Sequence, residues 1–158
     1  MPTETAAVHE RAAMAEPTVI AHGSDRGAML LQGVAGVLDD HLSKTDRTRL
    51  GKKVLNKTRV AMAEGKFPAS GTTVVTVNVP LRMKDPAAAP RFISGVFTLA
   101  DDGALASIVV APKMQNSRFL VTATGDTDND GNDDLQLRTI GPEGESERLV
   151  TWQDGHAN

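Results

Sequence analysis

The spacing of hydrophobic positions changes partway along the chain. Between Ser24 and His41 the apolar residues Leu30, Val34, Val37, Leu38 and Leu42 recur at intervals of three and four, the spacing of one face of an α-helix. Ser24 or Asp25 stands where the first free amides of that helix need a cap. Gly27, Gly33 and Gly36 each cost about 1 kcal/mol of helix propensity relative to Ala, so this helix needs tertiary support; the same glycines permit close approach of a neighbouring backbone. A second helix is predicted from Thr45 or Asp46 to Glu64, stopped by Gly65 with Pro68 just beyond. On it Leu50, Val54, Leu55, Ala61 and Met62 would form an apolar arc of about 140°, while Arg49, Lys52, Lys53, Lys57 and Arg59 would cover most of the opposite side.

After Ser70 the period drops to two. The runs Thr72 to Val79, Phe92 to Leu99, Ala104 to Ala111, Arg118 to Thr124, Leu135 to Ile140 and Arg148 to Trp152 alternate or are β-branched, and every break between them holds Gly, Pro, Asn or Asp. Six strands are predicted. Ala100-Asp101-Asp102-Gly103 has the chemistry of a tight hairpin, with Gly103 available for positive φ. Lys84 to Pro90 is the longest non-periodic connection and reads as a surface loop. Short connections favour antiparallel neighbours, so the fold class is α+β: two N-terminal helices within residues 24–66, followed by an antiparallel meander over residues 70–153. Residues 1–23, whose first part has no periodic apolar face, are expected to form an N-terminal arm to a single domain of residues 24–158.

Composition changes this picture in two respects. With 158 residues, one Trp, four Phe and neither Tyr nor Cys, the core must be built from Ala, Val, Leu, Ile and Met. Disulfides, Cys-ligated zinc, iron–sulfur clusters and thiol nucleophiles are excluded together. The segment from Met1 to Met14 has neither the basic start nor the apolar run of a secretory signal, and no window approaches a membrane span. The expectation is a soluble protein made in the cytoplasm, with the virion as a further location and no membrane partner.

The net charge of −3 conceals a strong separation. Residues 1–43 are net −4, residues 44–66 net +6, residues 67–125 net +2 and residues 126–158 net −7. Lys and Arg without interleaved aromatics suit phosphate contacts and not base stacking. Arg49, Lys52, Lys53, Lys57 and Arg59 are therefore candidates for contact with nucleic acid or with the acidic surface of a neighbouring subunit.

The most specific segment is Asp126-Thr127-Asp128-Asn129-Asp130-Gly131-Asn132-Asp133-Asp134. Ca²⁺ takes six to eight oxygens, and a short loop can wrap it with carboxylates at alternate positions. Asp126, Asp128 and Asp130 occupy positions 1, 3 and 5, Gly131 permits the sharp turn, Asn132 can offer its carbonyl at position 7 and Asp134 stands at position 9. Position 12 is Leu137, where an EF-hand has a bidentate Glu, and both flanks read as strands. Five aspartates in nine residues repel one another without a cation. An acidic hairpin tip is the competing reading, since Asn, Asp and Gly are turn residues in any case.

Over residues 125–135 the sequence resembles the calcium loops of integrin-type (FG-GAP) propeller repeats, in which a DxDxDGxxD segment joins two strands. The resemblance implies Asp126, Asp128, Asp130, Asn132 through its carbonyl, and Asp134 as ligands of a structural Ca²⁺. It covers the loop alone, since the chain has no further copies and is too short for a propeller.

No GxSxG, GxxxxGK[ST] or GxGxxG pattern occurs, and His9, His22, His41 and His156 show no metal-ligand spacing. Asp39-Asp40-His41 is the one tight acid–base cluster, at a helix end where His suits the dipole. No catalytic residue and no small-molecule substrate are expected. The combination of sheet domain, arm, cationic element and ion-binding loop suggests a non-enzymatic structural subunit that assembles with copies of itself, like a viral coat or capsid protein. A free-standing calcium-binding interaction module is the alternative.

Overall fold

A computed structural model describes residues 14–53 and 55–158; residues 1–13 of the predicted arm, and Val54 of the predicted second helix, lie outside the described residues. The chain order is β1 (Thr18–Val19), α1 (Asp25–His41), α2 (Lys44–Leu50), β2 (Val60–Phe67), β3 (Gly71–Leu81), β4 (Arg91–Leu99), β5 (Leu105–Gln115), β6 (Arg118–Gly125), β7 (Asp134–Gly141), β8 (Gly144–Val150), β9 (Trp152–Gln153) and β10 (His156–Ala157). Strands β1 to β5 form one sheet in sequence order, β6 to β8 a second, and β9 and β10 a hairpin, all antiparallel. The α+β class and the antiparallel pairing are as the sequence predicts, but there are more than six strands, in two main sheets.

Helix α1 forms as its pattern requires. The Ser24 hydroxyl accepts from the Gly27 amide at 3.0 Å, and Leu30, Val34, Val37 and Leu38 turn inward. They pack with Ile20, Leu42, Val60, Met62, Val75, Val77, Val79, Ile93, Phe97 and Leu99 into the first core, on one face of the five-stranded sheet. The other face carries Ala63, Phe67, Val74 and Val96. These meet Phe119, Leu135, Leu137, Val150 and Trp152 from the second sheet and the segment after it, forming a second core. The molecule therefore has three layers: a helix, a sheet buried on both faces, and a smaller sheet.

The second helix departs from expectation. It starts at Lys44, with the Ser43 hydroxyl accepting from the Asp46 amide at 3.1 Å, and ends after Leu50 at Gly51, whose φ is 59°. The Asn56 carboxamide oxygen then accepts from the Thr58 amide at 3.0 Å and from the Thr58 hydroxyl at 2.6 Å, and this turn feeds strand β2. Val60 to Glu64 cannot remain helical because they occupy the edge of β3, pairing Val60 with Val77 and Glu64 with Thr73. A strand as apolar on both faces as β3 needs a neighbour on each side, and that requirement outweighs the local 3.6 period.

Two devices join the sheets. Asn78 of β3 donates its amide to the Phe119 carbonyl at 2.8 Å and accepts from the Phe119 amide at 2.9 Å, as a neighbouring strand would. The described end of the predicted arm is laid on its own chain: Ala15 exchanges two backbone hydrogen bonds of 2.9 Å with Thr124 of β6, Thr18 and Val19 pair with Glu64 and Ala63 of β2, and Ile20 is buried in the first core.

The glycines of α1 divide by surroundings. A Cβ on Gly33 would lie 2.3 Å from the Gly103 carbonyl oxygen in the β4–β5 turn, whereas one on Gly36 would meet nothing within 4 Å among the described residues. Helix propensity alone favours Ala at both by about 1 kcal/mol, but forcing backbones apart costs about 1–3 kcal/mol. Gly36→Ala is expected to raise the denaturation midpoint and Gly33→Ala to lower it, measured by urea titration; equal shifts of the same sign would show that the helix does not sit against that turn.

Candidate metal loop and charged surfaces

Strands β6 and β7 converge on the loop of residues 126–133, so the segment is held between strands as the sequence predicts. Its backbone turns at Asn129, with φ 59°, and at Gly131, with φ 88°. That reversal lets the Asp126 carboxylate accept the amides of Asp130 at 3.1 Å and Gly131 at 2.9 Å. The Asp130 carboxylate accepts the Asn132 amide at 2.9 Å. The result brings one carboxylate oxygen each of Asp126, Asp128 and Asp130 within 4.8 Å of one another. Such a group could hold a metal ion, since oxygens at this spacing can share a hard cation.

Asp134 lies at the first position of β7 with no solvent exposure. One of its oxygens accepts from the Thr127 amide at 3.0 Å and the Thr127 hydroxyl at 2.5 Å. The other, Oδ1, has no hydrogen-bond partner among the described residues. A buried carboxylate oxygen without a donor is costly unless a cation compensates it. Burial pushes the Asp134 carboxyl above its ordinary value, and the charges of Asp130 and Asp126 add to that rise against the pull of Thr127. Asp128 is raised as well, by desolvation and then by the charges of Asp134 and Asp130. Asp126 is displaced the other way: desolvation raises it, but the amides of Gly131 and Asp130 and the neighbouring groups outweigh that effect. The loop thus holds several acidic groups that oppose one another's ionisation, and a buried oxygen with no hydrogen-bond donor among the described residues.

Asp133, which sequence reasoning left without a role, anchors the loop. Its amide donates to the Lys66 carbonyl at 2.6 Å, its carboxylate accepts from the Lys66 amide at 2.8 Å, and its carbonyl accepts from Trp152 Nε1 at 2.7 Å. These bonds tie the loop to β2 of the larger sheet and to the Trp152 ring, which lies 6.3 Å from Phe67. Nothing in the local pattern separates Asp133 from its neighbours, because its partners lie far away in sequence.

The predicted cationic helix face does not form. Arg49 is on α2, where its guanidinium donates to Met114 Sδ at 3.4 Å. Lys52 and Lys53 follow the helix, with Lys53 Nζ donating to the Pro80 carbonyl; Lys57 and Arg59 lie in the turn before β2. The five residues therefore belong to a short helix, a loop and a turn and not to one helix face. A different cationic set is assembled instead. Lys44 and Arg49 from α2 and Arg82 and Lys84 from the β3–β4 loop line one cleft of about 830 Å³.

His41 Nδ1 lies 3.1 Å from the Val37 carbonyl of its own helix, and His156 is on β10. Among the described residues no helix is long and apolar enough to cross a membrane. No family model, curated protein or solved structure matches the chain.

A carboxyl raised on folding binds its proton more readily in the folded state. At Asp134 and Asp128, stability of the metal-free protein should therefore rise as pH falls through their raised values and level off below the ordinary value of 3.8. Asp126 acts oppositely, losing its contribution only below that value. Asp134→Asn removes the buried charge and keeps an oxygen for Thr127. In chelator at neutral pH this variant is expected to melt no lower than the parent, with the difference between the two shrinking on acidification; a variant many degrees less stable would mean that the carboxylate is already compensated without metal.

Proposed function

We propose that the chain is a non-enzymatic module whose Asp126–Asp134 loop binds one structural Ca²⁺. The observation that carries this reading is the buried Asp134 Oδ1, without a hydrogen-bond partner among the described residues, at the end of a loop that clusters Asp126, Asp128 and Asp130. Asp126, Asp128, Asp130 and Asp134 would supply carboxylate oxygens, and Asn132 its backbone carbonyl. The ion would neutralise the mutual repulsion and compensate the orphan oxygen. Oxygen-only donors and the alternate spacing favour Ca²⁺ over zinc or a soft metal. Because Asp133 joins the loop to Lys66 and Trp152, binding there would tighten the junction between the two sheets, a structural effect on a surface that works by contact. In this reading the likeness to an FG-GAP calcium loop is one of chemistry and not of fold.

A second reading, a coat-like structural subunit that assembles with itself and contacts nucleic acid or a neighbouring subunit, is supported by the cleft of Lys44, Arg49, Arg82 and Lys84, which suits an anionic partner. The arm gives it less support, because residues 15–20 pair within their own chain.

Binding to the native state stabilises by RT ln(1 + [Ca²⁺]/Kd), about 2.7 kcal/mol at a hundredfold excess over Kd. For a chain of this size that corresponds to a rise in Tm of roughly 5–10 °C. Differential scanning calorimetry in chelator and in Ca²⁺ should show that rise, with Asp128→Ala and Asp130→Ala abolishing it. No calcium-dependent shift in the parent protein would remove the loop from the functional reading.

Protons and Ca²⁺ compete for the same carboxylates, so calcium affinity should fall as pH drops through the raised values of Asp128 and Asp134. Titration calorimetry in buffers of different ionisation enthalpy should register proton release on binding near that range. Affinity unchanged by acidification would exclude these two groups as ligands.

A further inference from the structure

The end of the molecule opposite the aspartate loop carries two surfaces of opposite sign. The pairing of Leu81 with Arg91, of Phe92 with Gln115, of Arg118 with Ile140 and of Gly141 with Gly144 brings the β3–β4 loop, the β5–β6 turn and the β7–β8 turn to that one end. There the cleft of Lys44, Arg49, Arg82 and Lys84 contains a single carboxylate, Asp85, which is already engaged by the Ala87 amide at 2.9 Å. Among the described residues Lys44, Arg82 and Lys84 form no ion pair. The β7–β8 hairpin at the same end carries Glu143, Glu145 and Glu147 at exposed positions. Glu147 pairs with Arg138 at 2.9 Å, while Glu143 and Glu145 have no cationic partner among the described residues.

We propose that this end is a self-complementary interface, in which the Glu143–Glu145 hairpin of one copy enters the cationic cleft of a second copy and the exchange is reciprocal. Opposite charges at the same end are what a two-fold axis can satisfy twice, since each copy then offers one cleft and one hairpin. A nucleic acid in the cleft would instead lie alongside unpaired carboxylates, which disfavours phosphate as the occupant. A contact built on exposed charges is steered and selected electrostatically and is weakened by salt. The aspartate loops sit at the two far ends of such a dimer. The proposal rests on the assembly reading and is independent of the calcium reading.

The full chain should be examined by sedimentation at micromolar concentration, in chelator and in Ca²⁺, at low salt and at about 0.5 M salt, where the Debye length is only a few ångströms. A dimer at low salt is expected, with its Kd raised at least about tenfold at high salt. Arg82→Glu with Lys84→Glu should give a monomer, and so should Glu143→Lys with Glu145→Lys. All four positions are exposed, so these variants should fold. Mixing the two monomeric variants should restore a dimer, because each then meets a partner of reversed sign at both contacts. Assembly indifferent to the substitutions would overturn this interface while leaving the assembly reading standing; a monomeric parent would sink both. A DNA duplex bound by the parent, and lost with Arg82→Glu and Lys84→Glu while the protein stays monomeric, would reassign the cleft to nucleic acid.

Discussion

The structure depends on one constraint: the five-stranded sheet is apolar on both faces and must be covered twice. Along β3 alone, Val75, Val77 and Val79 face one core while Val74 faces the other. A single helix layer would leave the second face in water, at a cost of roughly 25 cal/mol for each Å² of apolar surface exposed. Helix α1 covers one side with a stripe of Leu and Val, and β6 to β8 cover the other. Val60–Phe67 becomes a strand because β3 needs a neighbour on that edge of the same sheet, and the Asn78 bonds and the Ala15–Thr124 pairing tie the second layer to it.

That architecture also explains where the aspartate loop sits. A loop between β6 and β7 belongs to the smaller sheet, but Asp133 bonds to Lys66 of the larger one and to Trp152, so the loop closes the seam between layers. Asp134 is buried because it stands at the base of that seam, and there its charge matters more than the charge of a solvated carboxylate. A cation read into this position would act on the joint between sheets and not on a mobile tip. At the opposite end the layers are joined by the Asn78–Phe119 bonds, and Arg82, Lys84, Glu143 and Glu145 stand exposed to solvent.

Much of the architecture was legible in the chain. The stripe Leu30, Val34, Val37, Leu38 and Leu42 placed α1 almost to the residue, because a buried helix face of that length imposes its period regardless of what it packs against. Strands β3 to β7 were visible for the same reason at period two, and the Ala100–Gly103 turn by its chemistry, with Gly103 at φ 86°; the run Arg148 to Trp152 caught only the end of β8 and the start of β9. The spacing of Asp126, Asp128 and Asp130 was enough to place them together. Val60–Phe67 was not legible, since a short run of Val, Ala and Met reads equally well as helix or strand. Gly51 and the Asn56–Thr58 turn are the local signs of a break.

By itself the sequence determined the elements whose period is set by their own burial, the acidic loop whose ligand spacing is contiguous, and the separation of charge between segments. Only the tertiary structure decided that β2 is a strand, that Asp133 is an anchor and Asp134 a buried charge, and that Lys44, Arg49, Arg82 and Lys84 line one cleft. The physical reason is common to all of these. Local spacing records how a segment meets an apolar or solvent boundary, whereas the choice of edge partner, the desolvation of one carboxylate and the convergence of distant side chains are properties of contacts between segments remote in sequence.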